Sequence, residues 1–291
     1  MKLSTLLGDY PQTHLVRAGE RRATSFEFDF ADVKVPNRGF KRTVRDLEFD
    51  ASELALVTFL QARAYGKPLV ALPITIVGRA QHQCIVYNSD QGILDPAALA
   101  GKRIGARAYA QTTVTWVRGM LVEEYGLDVS QAQWITFEDG HLSEYPDPAW
   151  CERAAEGKDI MGMLGAGEID AAIVGNEKLT DPRFKTLIPD PVAAHEAWCA
   201  RHQAVPVNHL MVVKASLSQS HPEIVRDLFN LLVVARAAVP APAGRDLLPV
   251  GIEALRPSLA MAIDYADRQG LLPRPLTVDE LFDDFTRALK P

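Results

Sequence analysis

The chain of 291 residues is long enough for two domains of ordinary size, and its shares of hydrophobic residues (47%) and charged residues (23%) exclude a disordered or fibrous protein. Its net charge of −6 is spread along the sequence without a long basic cluster, which argues against a nucleic-acid partner. A small anionic ligand stays open, because a few local cations and helix N-termini are enough to bind one.

Signals for membrane insertion and export are not evident in the sequence. No stretch approaches the roughly 20 apolar residues that cross a bilayer, since residues 228–239 are interrupted by Asn230 and Arg236, so no membrane-spanning segment is predicted. The first nine residues contain one lysine and only a short apolar run, too short for the core of a signal peptide. The three cysteines are far apart and odd in number, which suits a reducing compartment. We therefore predict a cytoplasmic protein without a membrane partner.

The order of apolar patterns predicts the fold class. Runs of strand length alternate with segments of helical period through the first two thirds of the chain, which is typical of βαβ units and a mainly parallel sheet. The last third is helical, with helices predicted over residues 222–239, 258–268 and 277–289. The expected fold is therefore α/β with a helical C-terminal region.

The first strand is predicted from Lys2 to Leu7, where Gly8 ends it. Asp9 and Tyr10 then follow directly after the carboxyl end of this strand. In open α/β sheets this end usually faces the ligand. Both residues are therefore candidates for substrate binding.

The next predicted element is a helix. Asp50 and Glu53 fit a capping box ahead of apolar residues at helical spacing. The amino end of this helix, with Ser52 and Glu53, is a candidate anion site because helix N-termini attract negative charge.

Two buried strands are predicted over residues 69–77 and 84–88. The polar segment between them contains Arg79 and His82. Because this segment interrupts two apolar runs, its side chains are candidates for a site.

Two further strand ends carry polar residues. A short strand at residues 101–105 precedes a helix that ends at Gly126 and has Thr112 or Thr113 as its expected N-cap. Later, a helix ends at Gly167 and a buried strand follows, which places Asn176 just past the end of that strand.

Two patterns in the sequence could indicate a cofactor site, and each also has a purely structural interpretation. The glycines of residues 162–167 follow a helix and precede a strand, the reverse of the order in phosphate-binding loops, so nucleotide binding is not predicted. His195, Cys199 and His202 share one helix face and could bind zinc, but the same spacing fits a half-buried helix. We predict no metal.

The candidate site residues also have structural alternatives. Thr112 and Thr113 with Arg118 could hold a carboxylate, or a threonine could simply cap the helix while Arg118 faces solvent. His82 and His209 each lie in a short polar break and could be hydrogen-bonded structural residues or proton carriers.

Taken together, these segments resemble the 4,5-dihydroxyphthalate decarboxylase family, a cytoplasmic branch of the type II periplasmic-binding-protein fold. The resemblance covers most of the chain, and the order and spacing of short motifs carry it rather than any one of them. The motifs are Gly8 to Tyr10, Glu48 to Glu53, His82 to Asn88, Gly101 to Gly105, Tyr109, Thr112, Trp116 to Gly119, Gly167 to Ala171, and Pro206 to His209.

The resemblance implies an enzyme that removes carbon dioxide from a hydroxylated aromatic diacid by protonating the ring, without a cofactor. It also implies two lobes, residues 1–90 with 196–291 and residues 91–195, which close around a small anionic aromatic carboxylic acid. The implied catalytic residues are His82 and His209. The candidate substrate-binding residues are Asp9, Tyr10, Ser52, Glu53, Arg79, Tyr109, Thr112, Thr113, Arg118 and Asn176.

The chain departs from the family pattern at two places. Gln81 stands where the family has an arginine, and Ala108 and Ala110 stand where it has Glu and Gln beside Tyr109. Three alternatives therefore stay open: a different acid, a non-catalytic solute-binding protein or sensor for a small carboxylate, and another small-acid lyase on the same fold, such as the chorismate-processing enzymes. The oligomeric state also stays open, a homo-oligomer included.

Overall fold

The computed structural model describes residues 1–175, 179–240 and 243–291. In these ranges the strands are β1 (Lys2–Leu6), β2 (Glu27–Phe30), β3 (Ala51–Ala55), β4 (Leu69–Gly78), β5 (Ile85–Asn88), β6 (Arg103–Ala106), β7 (Gln133–Thr136), β8 (Cys151–Arg153), β9 (Ala171–Ile173), β10 (Phe184–Thr186) and β11 (Val207–Lys214). The α-helices are α1 (His14–Arg17), α2 (Leu56–Ala64), α3 (Thr112–Tyr125), α4 (Ile160–Gly165), α5 (Pro191–His202), α6 (Ala215–Ser220), α7 (Pro222–Ala237), α8 (Ile252–Arg268) and α9 (Asp284–Arg287).

The chain divides into two compact units. Unit 1 comprises Met1–Arg79, Ala204–Asp267 and Leu272–Pro291, and unit 2 comprises Ala80–Gln203 and Arg268–Leu271. The two lobes that the family resemblance implies have their bounds near residues 90 and 195. The polar segment between β4 and β5 therefore contains the first passage from unit 1 to unit 2.

Unit 1 contains a five-stranded sheet in the order β2-β1-β3-β11-β4. Strand β1 pairs in parallel with β2 and β3, whereas β11 runs antiparallel to β3 and β4. Its core packs apolar residues of β4 and β11, such as Leu72, Ile74 and Met211, with Leu228 and Phe229 of α7. This core holds the ends of β1, β3 and β11 in fixed positions.

Unit 2 contains a six-stranded sheet in the order β10-β5-β9-β6-β7-β8. Strand β6 pairs in parallel with β7 and β9, and β7 with β8, whereas β5 runs antiparallel to β9 and β10. Its core includes Val86, Ile135, Leu164 and Ile169. The prediction of an α/β fold with parallel-rich sheets and flanking helices is confirmed.

The C-terminal third matches the helical prediction in part. Helices α7 and α8 occupy the first two predicted segments, but residues 277–289 contain only a 3₁₀ turn and the single turn of α9. In the described part of the chain, no helix has the length and apolar character that crossing a bilayer requires.

The predicted capping box at Asp50 and Glu53 is wrong. Residues 51–55 form strand β3, and helix α2 begins only at Leu56. The carboxylate of Asp50 accepts from the backbone N–H of Ser4 and pairs with Lys214, so it caps no helix. The local helix signal is overridden because this segment fills the place between β1 and β11 in the sheet.

The predicted N-cap of α3 is also shifted. Gln111 occupies the N-cap position without a side-chain capping bond, and Thr112 is already the first helical residue. The predicted end of this helix is confirmed, since Gly126 follows it in the left-handed conformation with φ of 68°.

We predict that Gly126→Ala lowers the free energy of unfolding by about 1 kcal/mol, because an L-residue is strained at this φ. No atom lies within 4 Å of the added Cβ, so the cost is purely conformational. Urea denaturation measures it, with Gly244→Ala as the control, since Gly244 has equally open space and no positive φ. Equal stability of the two variants would contradict this account of the helix end.

Candidate functional site

A buried carboxylate lies at the carboxyl end of β3 in unit 1. Glu53 has an exposure of 0%, and both of its oxygens accept hydrogen bonds. The backbone N–H of Gly8 donates to Oε2 at 2.8 Å, and the hydroxyl of Tyr10 donates to Oε1 at 2.7 Å. Nδ1 of His209 lies 2.5 Å from the same Oε1. We call Gly8, Tyr10, Glu53 and His209 the Glu53 cluster.

The sheet register explains why these residues meet. In the parallel pairing of β1 with β3, Leu6 lies opposite Ser52, so the chain leaving β1 passes beside Glu53. In the antiparallel pairing of β11 with β3, His209 lies opposite Ala55, two residues from Glu53 and on the same face of the sheet. The pairing of β11 with β4 shifts register on both sides of His209, and such irregularities redirect side chains.

The loop after β1 has little room for change. A Cβ on Gly8 would lie 2.5 Å from the ring of Tyr10, so only glycine allows this ring to lie over the backbone. The buried hydroxyl of Thr13 closes the loop, since it accepts from the N–H of Tyr10 and donates to the carbonyl of Gly8. Thr13 was not predicted as a site residue, because its role depends on this loop shape alone.

The electrostatics of the cluster favour a neutral tyrosine. Burial raises the pKa of Tyr10 far above its usual value, and the charge of Glu53 and the hydrogen bond to it raise that pKa further. The positive charge of Arg79 opposes this shift, which shows that Arg79 lies near the cluster. Tyr10 therefore acts as a hydrogen-bond donor to Glu53 and not as a base.

The contact with Glu53 orients the imidazole of His209. An ionised carboxylate can only accept, so Nδ1 is the donor in this contact. The side chain is 16% exposed, and the described residues provide no hydrogen bond to Nε2. The edge of the ring contacts Phe40 at a centroid distance of 5.3 Å, which also limits its orientation.

The second group of predicted residues lies in unit 2, around the start of α3. Thr112 and Thr113 are both buried in the first turn of the helix. Arg118 is fully buried, so the alternative in which it faces solvent is wrong. Its Nη2 donates to the carbonyl of Tyr109 at 2.8 Å, and its Nε donates to Oε1 of Gln269 at 2.7 Å.

His82 also lies in unit 2, but at the other end of α3. It is buried, and its Nε2 lies 3.1 Å from Oε2 of Glu124. Glu124 and Thr112 are twelve residues apart on one helix, which corresponds to about 18 Å. The structure therefore does not bring His82 together with the predicted carboxylate-binding threonines.

Three other predicted residues lie apart from the Glu53 cluster or outside the description. Asp9 is exposed and pairs with His14 on the surface. Ser52 is buried, and its hydroxyl contacts that of Thr43 and donates to the carbonyl of Glu53. Asn176 lies outside the described residues. Ser52 and Glu53 are neighbours on β3, and neighbouring side chains point to opposite faces of a strand. The side chain of Ser52 therefore points away from the face that carries Glu53.

The three residues of α5 whose spacing could suit zinc contact other side chains. Sγ of Cys199 lies 3.7 Å from the ring nitrogens of His195, and Trp198 packs edge-to-face against Trp116 of α3. Within residues 1–175, 179–240 and 243–291, no group of His, Cys, Asp or Glu side chains has an arrangement that could hold a metal ion.

The fold belongs to a known class. The periplasmic aliphatic sulphonate binding protein SsuA from Escherichia coli superposes with a TM-score of 0.65, over 97% of this chain and 97% of that one, at 13% identity. At this identity the likeness shows the fold alone. The chain therefore has the α/β fold of the type II periplasmic binding proteins.

Curated relatives define the family within this class. The chain is 31% identical over 234 residues to a 4,5-dihydroxyphthalate decarboxylase of Comamonas testosteroni, covering 76% of this chain and 71% of the relative. It is 30% identical over 210 residues to a protein of the same name from Pseudomonas putida, covering 68% and 81%. The chain belongs to the 4,5-dihydroxyphthalate decarboxylase family. No family model matches the sequence.

We predict that Gly8→Ala displaces Tyr10 and breaks its bond to Glu53, because the added methyl group overlaps the ring. The loss of one hydrogen bond to a buried charge lowers the free energy of unfolding by about 1.5–3 kcal/mol. Denaturant unfolding of Gly8→Ala and Tyr10→Phe measures this loss. The double variant should lose little more than Gly8→Ala alone, and fully additive losses would contradict the contact.

Proposed function

We propose that this protein catalyses the loss of carbon dioxide from a hydroxylated aromatic acid of the phthalate type, with His209 as the proton donor. The pairing of His209 with the buried carboxylate of Glu53 carries the proposal. Membership of the decarboxylase family supports the reaction class, and 4,5-dihydroxyphthalate, named by both relatives, is the first substrate to test.

The reaction needs one proton and no redox partner. A ring hydroxyl para to the departing carboxylate supplies electron density, and the imidazolium Nε2–H of His209 protonates the ring carbon that bears this carboxylate. The bond between that carbon and the carboxylate then breaks, and its electron pair restores the aromatic ring as carbon dioxide leaves. From 4,5-dihydroxyphthalate the product is 3,4-dihydroxybenzoate, and a proton from water restores the imidazolium.

The surroundings of His209 suit this role. The carboxylate of Glu53 holds the imidazole through its contact with Nδ1, in the way that a buried carboxylate orients a catalytic histidine in hydrolases. Tyr10 donates to the same carboxylate oxygen and fixes its position. Arg79 places a cation near the cluster, and we assign it the attraction of an anionic substrate.

The proposal also includes several predictions from the sequence. These are the binding of a carboxylate at the start of α3, substrate binding by Asn176 and binding of the acid between two lobes. They also include a reaction without a cofactor and a cytoplasmic location. His82 leaves the proposed catalytic pair, because it is buried against Glu124 at the far end of α3.

We expect His209→Gln to lower kcat for 4,5-dihydroxyphthalate by 10²- to 10⁴-fold, the usual contribution of a general acid. Glu53→Gln should lower kcat by a smaller factor, because the amide oxygen can still accept from Nδ1 and the ring stays in place. His82→Gln and the exposed His221→Gln are matched controls, and each should keep kcat within about threefold if it folds. NMR in D₂O follows the reaction, since deuterium must appear at the carbon that lost carbon dioxide.

Wild-type turnover together with an unchanged rate in His209→Gln would remove His209 from the mechanism. Saturable binding of the acid without any carbon dioxide release would favour the alternative of a binding protein or sensor. Release of carbon dioxide without deuterium at the ring carbon would exclude protonation at that carbon.

A further inference from the structure

Arg118 is a buried cation without a counter-charge. It lies in the second turn of α3, has an exposure of 0%, and belongs to none of the ion pairs in the described residues. Two of its three nitrogens donate to neutral acceptors, the amide oxygen of Gln269 and the carbonyl oxygen of Tyr109. Burial lowers the pKa of Arg118, which reflects the cost of holding this charge away from water.

Three donor groups near Arg118 lack a partner in the described residues. They are Nη1 of Arg118 itself and the hydroxyls of Tyr109 and Tyr145, all of them buried. Each such group costs about 1–3 kcal/mol if it stays unpaired. Native structures rarely keep three of them together without something that satisfies them.

The three groups are close to one another. The guanidinium carbon of Arg118 lies 3.8 Å from the ring centroid of Tyr109 and 5.0 Å from that of Trp134. The pKa of Tyr145 is raised by burial and then by the nearby hydroxyl of Tyr109, and it is lowered by the charge of Arg118. Tyr145 therefore shares the environment of the other two, and we call Tyr109, Arg118 and Tyr145 the Arg118 cluster.

The chemistry of the cluster specifies an anion. All three groups can donate a hydrogen bond, and one carries a positive charge. A ligand that satisfies them needs several lone pairs and a negative charge. Asp147 does not fill this role, because it forms no ion pair with Arg118 and burial raises its pKa towards the neutral form. A water molecule could accept from the hydroxyls but would leave the charge uncompensated.

We propose that Tyr109, Arg118 and Tyr145 form a subsite of unit 2 that binds the carboxylate of a small aromatic acid. The identity of this carboxylate rests on the proposed function, whereas the anion specificity rests on the cluster alone. Tyr145 lies in the irregular segment between β7 and β8, beside the exposed Ser143, Glu144 and Pro146.

Isothermal titration calorimetry on the full chain tests the subsite with three probes: phthalate, benzoate and catechol. Phthalate and benzoate carry carboxylates but lack the hydroxyl that drives decarboxylation, and catechol carries only hydroxyls. Tyr109→Phe and Tyr145→Phe should each weaken phthalate and benzoate about tenfold, the loss expected for one hydrogen bond to a charge. Catechol binding should be unchanged.

The matched control is Tyr87→Phe, which removes a hydroxyl from β5 of the same unit outside the cluster. It should leave all three affinities unchanged. Arg118→Met should abolish carboxylate binding, with circular dichroism as the check that it folds. If Arg118→Met does not fold, the two tyrosine variants decide.

Absence of carboxylate binding, or affinities that are equal in wild type, Tyr109→Phe and Tyr145→Phe, would overturn the subsite. Failure of the proposed function looks different: phthalate would bind through the tyrosines while 4,5-dihydroxyphthalate releases no carbon dioxide. Turnover with an unchanged KM in both tyrosine variants would overturn the subsite and leave the reaction intact.

Discussion

The burial of the Glu53 carboxylate is the constraint on which the candidate site depends. An ionised carboxylate away from water is costly unless hydrogen bonds and a cation compensate for it. Here the compensation comes from the N–H of Gly8, the hydroxyl of Tyr10 and the imidazole of His209, which belong to the loop after β1 and to β11. One side chain therefore joins three segments that are far apart in sequence, and it fixes the imidazole that exchanges protons.

The two units satisfy their buried charges differently. In unit 1 a buried carboxylate has a full set of donors from the protein, so the cluster is complete in itself. In unit 2 a buried guanidinium has only neutral acceptors, and one of its nitrogens lacks a partner in the described residues. The first arrangement is closed by the protein's own groups, whereas the second leaves donors available to an anion.

The sequence predicted the fold class, five of the strands and most of the residues that now form the two clusters. Periodicity predicted β4, β5 and α3 well, because long apolar runs bounded by glycine leave few alternatives. Around Glu53 the local signal indicated a helix, since Asp50 and Glu53 have the capping-box spacing, but sheet pairing with β1 and β11 determined the structure. Only the paired strands show that Glu53 contacts His209.

Other site residues could not be assigned from sequence for similar reasons. His82 and His209 have comparable surroundings along the chain, and only the three-dimensional contacts separate the buried partner of Glu124 from the partly exposed partner of Glu53. Tyr145 and Gln269 lie in segments without a periodic pattern, so no signal connected them with Arg118. Burial of unpartnered donors is visible only once the chain is folded.

The protonation of the His209 ring nitrogens tests the central claim most directly. Long-range ¹H–¹⁵N correlation spectra of labelled protein, with the signal assigned by its loss in His209→Gln, distinguish Nδ1–H from Nε2–H. The account predicts a proton on Nδ1 in the wild type and a change in this signal in Glu53→Gln. A bare Nδ1 with the single proton on Nε2, unaffected by Glu53→Gln, would contradict it.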